Sequence, residues 1–164
     1  MTPKVLIVMG SDSDCPVLEE TAKILEQFDI PYEMRIASAH RSPRKTSDLV
    51  EGAAARGIQV VIAAAGLAAH LPGVVAAGTI LPVIGVPMGG GPLNGVDALY
   101  SIVQMPGGIP VATTAIGKTG AKNAALLAAQ ILALNDIELT RKLVEFRENM
   151  AREVEEKDQK LQQR

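Results

Sequence analysis

At 164 residues the chain is long enough for one domain with a well-buried core, and we predict a single domain over 1–164. A net charge of −2, with two tyrosines, two phenylalanines and no tryptophan, argues against a nucleic-acid-binding surface and against an anionic membrane surface. A single cysteine excludes an intrachain disulfide, and no targeting signal or spanning run stands out. We therefore expect a cytoplasmic protein with neither a nucleic-acid nor a membrane partner.

Short apolar runs alternate with helical patterns along the chain. Nearly continuous apolar runs, typical of strands buried on both faces, occur at 4–9, 32–37, 59–65, 82–87 and 110–115. Helical spacing predicts helices over 15–28, 43–56, 72–78, 94–104 and 119–134. Ser42 is the predicted N-cap of the second helix, and Gly57 follows its end. The alternation predicts a three-layer α/β/α sandwich around a five-stranded parallel sheet.

Charge is unevenly distributed, which bears on assembly. Between Arg56 and Lys118 the only formally charged residue is Asp97. Helix and loop segments so poor in charge are typical of obligate subunit interfaces, so we expect a homo-oligomer. The segment 136–164 is instead highly charged, with apolar residues at three- and four-residue steps, and predicts an amphipathic helix. The pattern alone does not separate docking on its own subunit from docking on a neighbour; we favour the neighbour.

The chain's two histidines, His40 and His70, both follow predicted strands. Open α/β sheets bind ligands at the carboxyl ends of their strands, and histidine can take up and release a proton near neutral pH. Position alone leaves catalytic and structural roles open for both residues.

Two polar loops at predicted strand ends are candidate binding segments. Residues 10–14 run into a helix, where backbone amides and serine hydroxyls bind anions and a carboxylate can accept from ribose hydroxyls; helix capping by Ser13 and Asp14 is the alternative. In the loop 38–43, Arg41 precedes a helix N-terminus, whose dipole disfavours a cation. An anionic ligand such as phosphate explains this arginine better than a surface salt bridge does.

A third loop, 65–73, is built mainly of small residues and has no ionisable side chain except His70. It predicts an uncharged wall that a ligand can approach closely, although close helix–sheet packing would also explain it. No G-x-G-x-x-G, G-x-x-x-x-G-K-[ST], H-x-x-x-H or C-x-x-C pattern occurs. These observations favour histidine acid–base chemistry with no cofactor and no metal.

Five runs in these segments carry a family resemblance: MGSDSD at 9–14, SAHRSP at 38–43, AAHLPG at 68–73, PVIGVP at 82–87 and SIVQMPGG at 101–108. In these runs the chain resembles the N5-carboxyaminoimidazole ribonucleotide mutase family, the catalytic-subunit type of phosphoribosylaminoimidazole carboxylase. The resemblance extends from about residue 4 to the C-terminal helix.

The resemblance implies a flavodoxin-like fold, a homo-octamer with active sites lined by neighbouring subunits, and an isomerase of de novo purine biosynthesis. The implied reaction converts N5-carboxyaminoimidazole ribonucleotide to 4-carboxy-5-aminoimidazole ribonucleotide by decarboxylation and recarboxylation, without ATP, metal or biotin. His40 is the implied acid–base residue. The ribose 5-phosphate is then held by Ser11, Asp14, Ser38 and Arg41, and the migrating carboxyl group is surrounded by Gly66, Ala69, His70 and Leu71.

Two departures from the family pattern stand out. Leu67 occupies a position where family members commonly have glycine, and Gly89–Gly91 replaces a more ordinary loop. Two other functions stay open as alternatives: a carboxylase that uses free CO2, whose third loop lacks the AAHLPG run, and a non-catalytic nucleotide-binding module.

Overall fold

Five parallel strands form the middle layer of the structure, a computed structural model in which residues 2–163 are described. The strands, in chain order, are β1 (Val5–Met9), β2 (Tyr32–Ile36), β3 (Val60–Ala65), β4 (Val83–Pro87) and β5 (Ala112–Thr113). Their order across the sheet is β2-β1-β3-β4-β5, and all neighbours pair in parallel. This is the flavodoxin-like order, so the predicted fold class is confirmed.

Helices cover both faces of this sheet. In chain order they are α1 (Cys15–Gln27), α2 (Pro43–Glu51), α3 (Leu71–Ala77), α4 (Val96–Val103), α5 (Lys118–Ala133) and α6 (Ile137–Gln162). Helices α1 and α5 bury one face, where Ile7 and Ile62 lie, and α2, α3 and α4 bury the other, where Leu6 and Val61 lie. Alternate residues of a strand point to opposite faces of the sheet. Because helices cover both faces, every residue of β1, β3 and β4 is buried.

Helix α2 and strand β5 differ most in length from the elements that the sequence predicts. Helix α2 ends at Glu51 rather than at 56, because Gly52 weakens the helix and the chain tightens into a 3-10 turn over Ala54–Arg56. Gly57 closes that turn with a φ of +93°. Strand β5 covers only Ala112–Thr113 of the predicted 110–115, because only these two residues pair with β4.

Helix α6 packs against the domain through its first part, up to about Phe146. The carboxylate of Asp136 accepts a hydrogen bond from the Leu139 amide at 3.0 Å and begins the helix. The Phe146 ring meets Phe28 edge-on, with 5.5 Å between centroids. Residues 147–163 are exposed throughout. The predicted ranges 1–164 and 136–164 also include Met1 or Arg164, which lie outside the described residues. None of the helices within residues 2–163 has the length and apolar composition to cross a membrane.

Candidate active site

The loops that follow β1, β2, β3 and β4 line one cavity of about 430 Å³. From β1 the chain crosses to β2 on one side, and from β3 it continues to β4 on the other, so the connections diverge between β1 and β3. A crevice forms outside the strand ends at such a switch point. The sheet order therefore brings together loops that are distant in sequence.

The loop after β1 is organised by Ser11. Its hydroxyl accepts hydrogen bonds from the Ser13 amide at 3.3 Å and the Ser13 hydroxyl at 2.9 Å, which caps the 3-10 turn Asp12–Asp14. Asp14 directly precedes α1, but its side chain makes no capping hydrogen bond. Capping by Ser13 and Asp14, the alternative weighed above, is wrong, and the Asp14 carboxyl group lies in the cavity wall instead.

Burial raises the pKa of the Asp14 carboxyl group above its ordinary value, and the charge of neighbouring Asp12 raises it further. Both effects disfavour the ionised form. A carboxylate kept in a cavity wall at such a cost is a candidate for binding a hydrogen-bond donor of a ligand.

Asp14→Asn should make the protein more stable than the parent at pH 7. The pKa of this carboxyl group in the folded state lies above the ordinary value of 3.8, so its ionisation destabilises the folded state. Its contribution to stability is complete below pH 3.8 and is lost as the pH rises through the folded-state pKa. The advantage of the variant should shrink as the pH falls from 7 towards 4, as measured by urea unfolding. Asp48→Asn, at an exposed position of α2, is the control; an advantage independent of pH would contradict this explanation.

The loop after β2 is a closed turn. The Ser42 hydroxyl accepts from the Ser38 amide at 3.0 Å and donates to the Ser38 carbonyl at 3.2 Å, and the Arg41 amide donates to the Ser38 hydroxyl at 3.2 Å. Ser42 precedes α2 as predicted, but its hydroxyl holds this turn and makes no bond to the helix. The tip of the turn carries His40 and Arg41, and both side chains are exposed.

Within residues 2–163, no carboxylate lies within 4.0 Å of the Arg41 guanidinium group. The surface salt bridge considered for this arginine is therefore absent from the described part of the chain. Arg41 lines the cavity beside the start of α2. An anion in the cavity could accept hydrogen bonds from its guanidinium group.

The loop after β3 forms the uncharged wall. Gly66, Ala69 and Leu71 line the cavity as predicted, and the Ala69 amide bonds the Gly66 carbonyl at 3.4 Å. His70 does not line the cavity. Its backbone is left-handed, with φ +50°, and its ring lies against the backbone of Gly73, where a β-carbon would overlap it.

The Nδ1 atom of His70 is buried and has no hydrogen-bond partner among the described residues. The contact of His70 with the substrate stays a prediction. Such a contact would require the ring to turn away from Gly73. Every other predicted site residue lines the cavity: Ser11, Asp14, Ser38, His40, Arg41, Gly66, Ala69 and Leu71.

The loop after β4 is the part of the cavity that the sequence interpretation missed. Met88 and Gly89–Gly91 line the cavity together with Leu67. Strands β2 and β4 are the outer two of the four strands whose loops line the cavity, so this wall lies at the opposite end of the cavity from the β2 loop. Their position directly after a buried strand is a usable signal, but the segment lacks polar side chains and stands out in the sequence only as a departure from the family pattern.

Comparison with known proteins shows which family and which solved structures this chain resembles. The family model described as AIR carboxylase matches residues 4–153. A solved structure of Treponema denticola PurE has a TM-score of 0.88 and 35% identity, covering 97% of this chain and 98% of that one.

Curated relatives are similar over nearly the whole chain. The N5-carboxyaminoimidazole ribonucleotide mutase of Thermotoga maritima is 57% identical, covering 98% of this chain and 93% of the relative. The Bacillus subtilis mutase is 55% identical, covering 98% and 99%, and the Escherichia coli mutase is 54% identical, covering 92% and 89%. Because the family model matches most of the length of this chain, the chain belongs to the AIR carboxylase family.

Proposed function

We propose that this chain converts N5-carboxyaminoimidazole ribonucleotide to 4-carboxy-5-aminoimidazole ribonucleotide, with His40 as the acid–base residue. The proposed reaction is supported by the curated relatives named N5-carboxyaminoimidazole ribonucleotide mutase, which match the chain over nearly its whole length. The assignment of residues rests on one observation: a single cavity is lined by a histidine, an arginine, an aspartate and an uncharged wall.

The chemistry requires one proton donor and one proton acceptor. The bond between the exocyclic nitrogen and the carboxyl carbon breaks, its electron pair stays on nitrogen, which takes up a proton, and CO2 is released. C4 of the imidazole then attacks CO2, forming the carbon–carbon bond, and the C4 proton leaves to a base. One imidazole side chain can perform both transfers, since it returns to its starting protonation state. We assign this role to His40, which lies at the tip of the β2 loop and lines the cavity.

The polar side of the cavity suits the ribose 5-phosphate. The Arg41 guanidinium group and the hydroxyls of Ser11 and Ser38 can donate to phosphate oxygens, and the Asp14 carboxylate can accept from ribose hydroxyls. The opposite wall, with Gly66, suits an uncharged intermediate because it offers no charged side chain that could hold water there.

The substrate assignment is tested by supplying purified protein with either the N5-carboxylated ribonucleotide or aminoimidazole ribonucleotide plus bicarbonate. We expect the C4-carboxylated product to form efficiently from the first. Efficient formation only from the second mixture would replace the mutase with the CO2-using carboxylase. No product from either, with ligand binding retained, would favour the non-catalytic module.

We further propose that the chain works as a homo-oligomer, an octamer as the resemblance implies, with α6 docked on a neighbouring subunit. Three apolar side chains at helical spacing are exposed on α4, namely Val96, Tyr100 and Val103, and Ile80 after α3 is fully exposed. On α6, Met150 and Val154 extend the apolar stripe beyond the part that contacts the domain. Such exposed apolar faces are typical of subunit interfaces.

Two aspartates introduced on α4, Tyr100→Asp with Val103→Asp, should reduce the assembly to smaller species, because burying a carboxylate in an apolar interface is costly. Light scattering coupled to size-exclusion chromatography measures the mass. Lys45→Asp on the exposed face of α2 adds negative charge without touching the apolar surface and is the control. An unchanged mass in the α4 variant would rule out this surface as an interface.

A further inference from the structure

Leu67 has a backbone conformation that is unusual for its residue type. Within the described residues, positive φ angles outside glycine occur only at Asp29, Leu67, His70 and Asn94. Aspartate, asparagine and histidine are the types that adopt this left-handed region most readily, whereas a bulky apolar residue there is an outlier. At φ +54°, Leu67 is that outlier, and it lies in the cavity wall.

The side chain of Leu67 lies on the glycine loop that follows β4, Gly89–Gly91. A β-carbon at Gly91 would come within 2.6 Å of Leu67 Cδ2, and Gly91 itself has a φ of +64°. The two loops run side by side because β3 and β4 are paired up to Ala65 and Pro87, and the Met88 amide donates to the Ala65 carbonyl at 2.9 Å. A side chain at position 91 would therefore require the Leu67 side chain to shift.

Three consecutive glycines cannot shape a wall by themselves. They carry no side chains, and their backbones are the most conformationally free in the chain. The Leu67 side chain supplies the missing apolar bulk at this point and restricts the loop by contact. Part of the side chain still faces outward, at 54% exposure, so it lies at the rim of the cavity.

We propose that Leu67 is a positioning residue that holds Gly89–Gly91 against the cavity and so retains CO2 between its release from nitrogen and its capture at C4. This inference rests on the proposed function. Dissolved CO2 is neutral and small, so no ion pair can hold it, and its retention depends on the shape of the wall. An opened wall gives a measurable side product, since CO2 that escapes leaves aminoimidazole ribonucleotide behind.

The test follows how each variant partitions its substrate. With the N5-carboxylated ribonucleotide, the C4-carboxylated product and released aminoimidazole ribonucleotide are quantified, and spontaneous decomposition without enzyme is subtracted. Leu67→Ala should raise the fraction lost as aminoimidazole ribonucleotide several-fold. Gly91→Ala should do the same by displacing the Leu67 side chain, and the double variant should resemble either single variant, because both changes remove one contact.

Leu93→Ala is the matched control. It is also an exposed leucine, at 58%, and lies just beyond the glycine loop, but it does not line the cavity. Its partition should equal that of the parent. An unchanged partition in Leu67→Ala, or an equal change in Leu93→Ala, would overturn the proposal.

A second measurement on the free protein keeps this proposal separate from the proposed function. The backbone order parameters of Gly89–Gly91 from NMR relaxation should be lower in Leu67→Ala than in the parent or in Leu93→Ala. Unchanged order parameters would overturn the positioning role even if the enzyme is active. A parent that forms no C4-carboxylated product would instead overturn the proposed function, and the retention role with it, whatever the order parameters show.

Discussion

Replacement of His40 by asparagine should lower kcat by roughly 10²–10⁴-fold, the usual contribution of a positioned acid–base residue. Asparagine keeps a polar side chain of similar reach but cannot exchange a proton near neutral pH. Nucleotide binding should stay within about threefold of the parent, because the phosphate-binding side chains are unchanged. Steady-state turnover of the N5-carboxylated ribonucleotide and calorimetric binding of its non-carboxylated analogue measure the two quantities.

His70→Asn provides the comparison for this result. The His70 ring lies against Gly73 and outside the cavity lining, so we expect a smaller loss of kcat than for His40→Asn. If His70→Asn abolished turnover while His40→Asn kept it, the acid–base role would pass to His70. That outcome would also require a conformation in which the His70 ring leaves Gly73.

Removing the Arg41 side chain should weaken nucleotide binding by roughly 10- to 100-fold, which corresponds to about 1.4–2.8 kcal/mol, as expected for a charge-assisted hydrogen bond to phosphate. The Arg41→Ala variant should therefore raise KM far more than it lowers kcat. The affinity of the parent should fall with added salt more steeply than that of the variant, because one ionic contact is missing. Isothermal titration at two salt concentrations checks both points.

Arg44→Ala is the control, since Arg44 is an exposed arginine in the first turn of α2 that does not line the cavity. It loses the same charge three residues away and should bind nucleotide nearly as the parent does. Equal affinities for Arg41→Ala and the parent would remove Arg41 from the phosphate site. Equal losses in both arginine variants would mean a general electrostatic effect of the positive charge at this end of the sheet.

The central strands were predictable because burial on both faces leaves a direct mark on the sequence. Every residue of Val60–Ala65 is apolar and buried, so no alternation was needed to recognise it. The edge was harder, since the apolar run 110–115 is longer than the two residues of β5 that find a partner on β4. A hydrophobic pattern reports burial, whereas the length of a strand depends on pairing. Pairing is a property of the assembled sheet.

The site was predictable at the level of loops but not of side-chain direction. Strand ends in the right order were enough to bring Ser11, Ser38 and Gly66 to one cavity. The direction of the His70 ring follows from a left-handed φ and from the space left by Gly73, and neither can be read from residue types in order. The contact of Leu67 with Gly91 cannot be read from the sequence for the same reason, although each of the two segments departs from the family pattern.

All the residues of this one chain that line the cavity lie between Gly10 and Gly91. The remainder of the described chain, 92–163, supplies α4, β5, α5 and α6, which support the sheet and present the exposed apolar faces. A substitution after residue 91 can therefore reach the cavity of its own subunit only indirectly, through the sheet and the helices that support the four loops. We expect such substitutions to change stability or assembly more readily than ligand binding within the subunit.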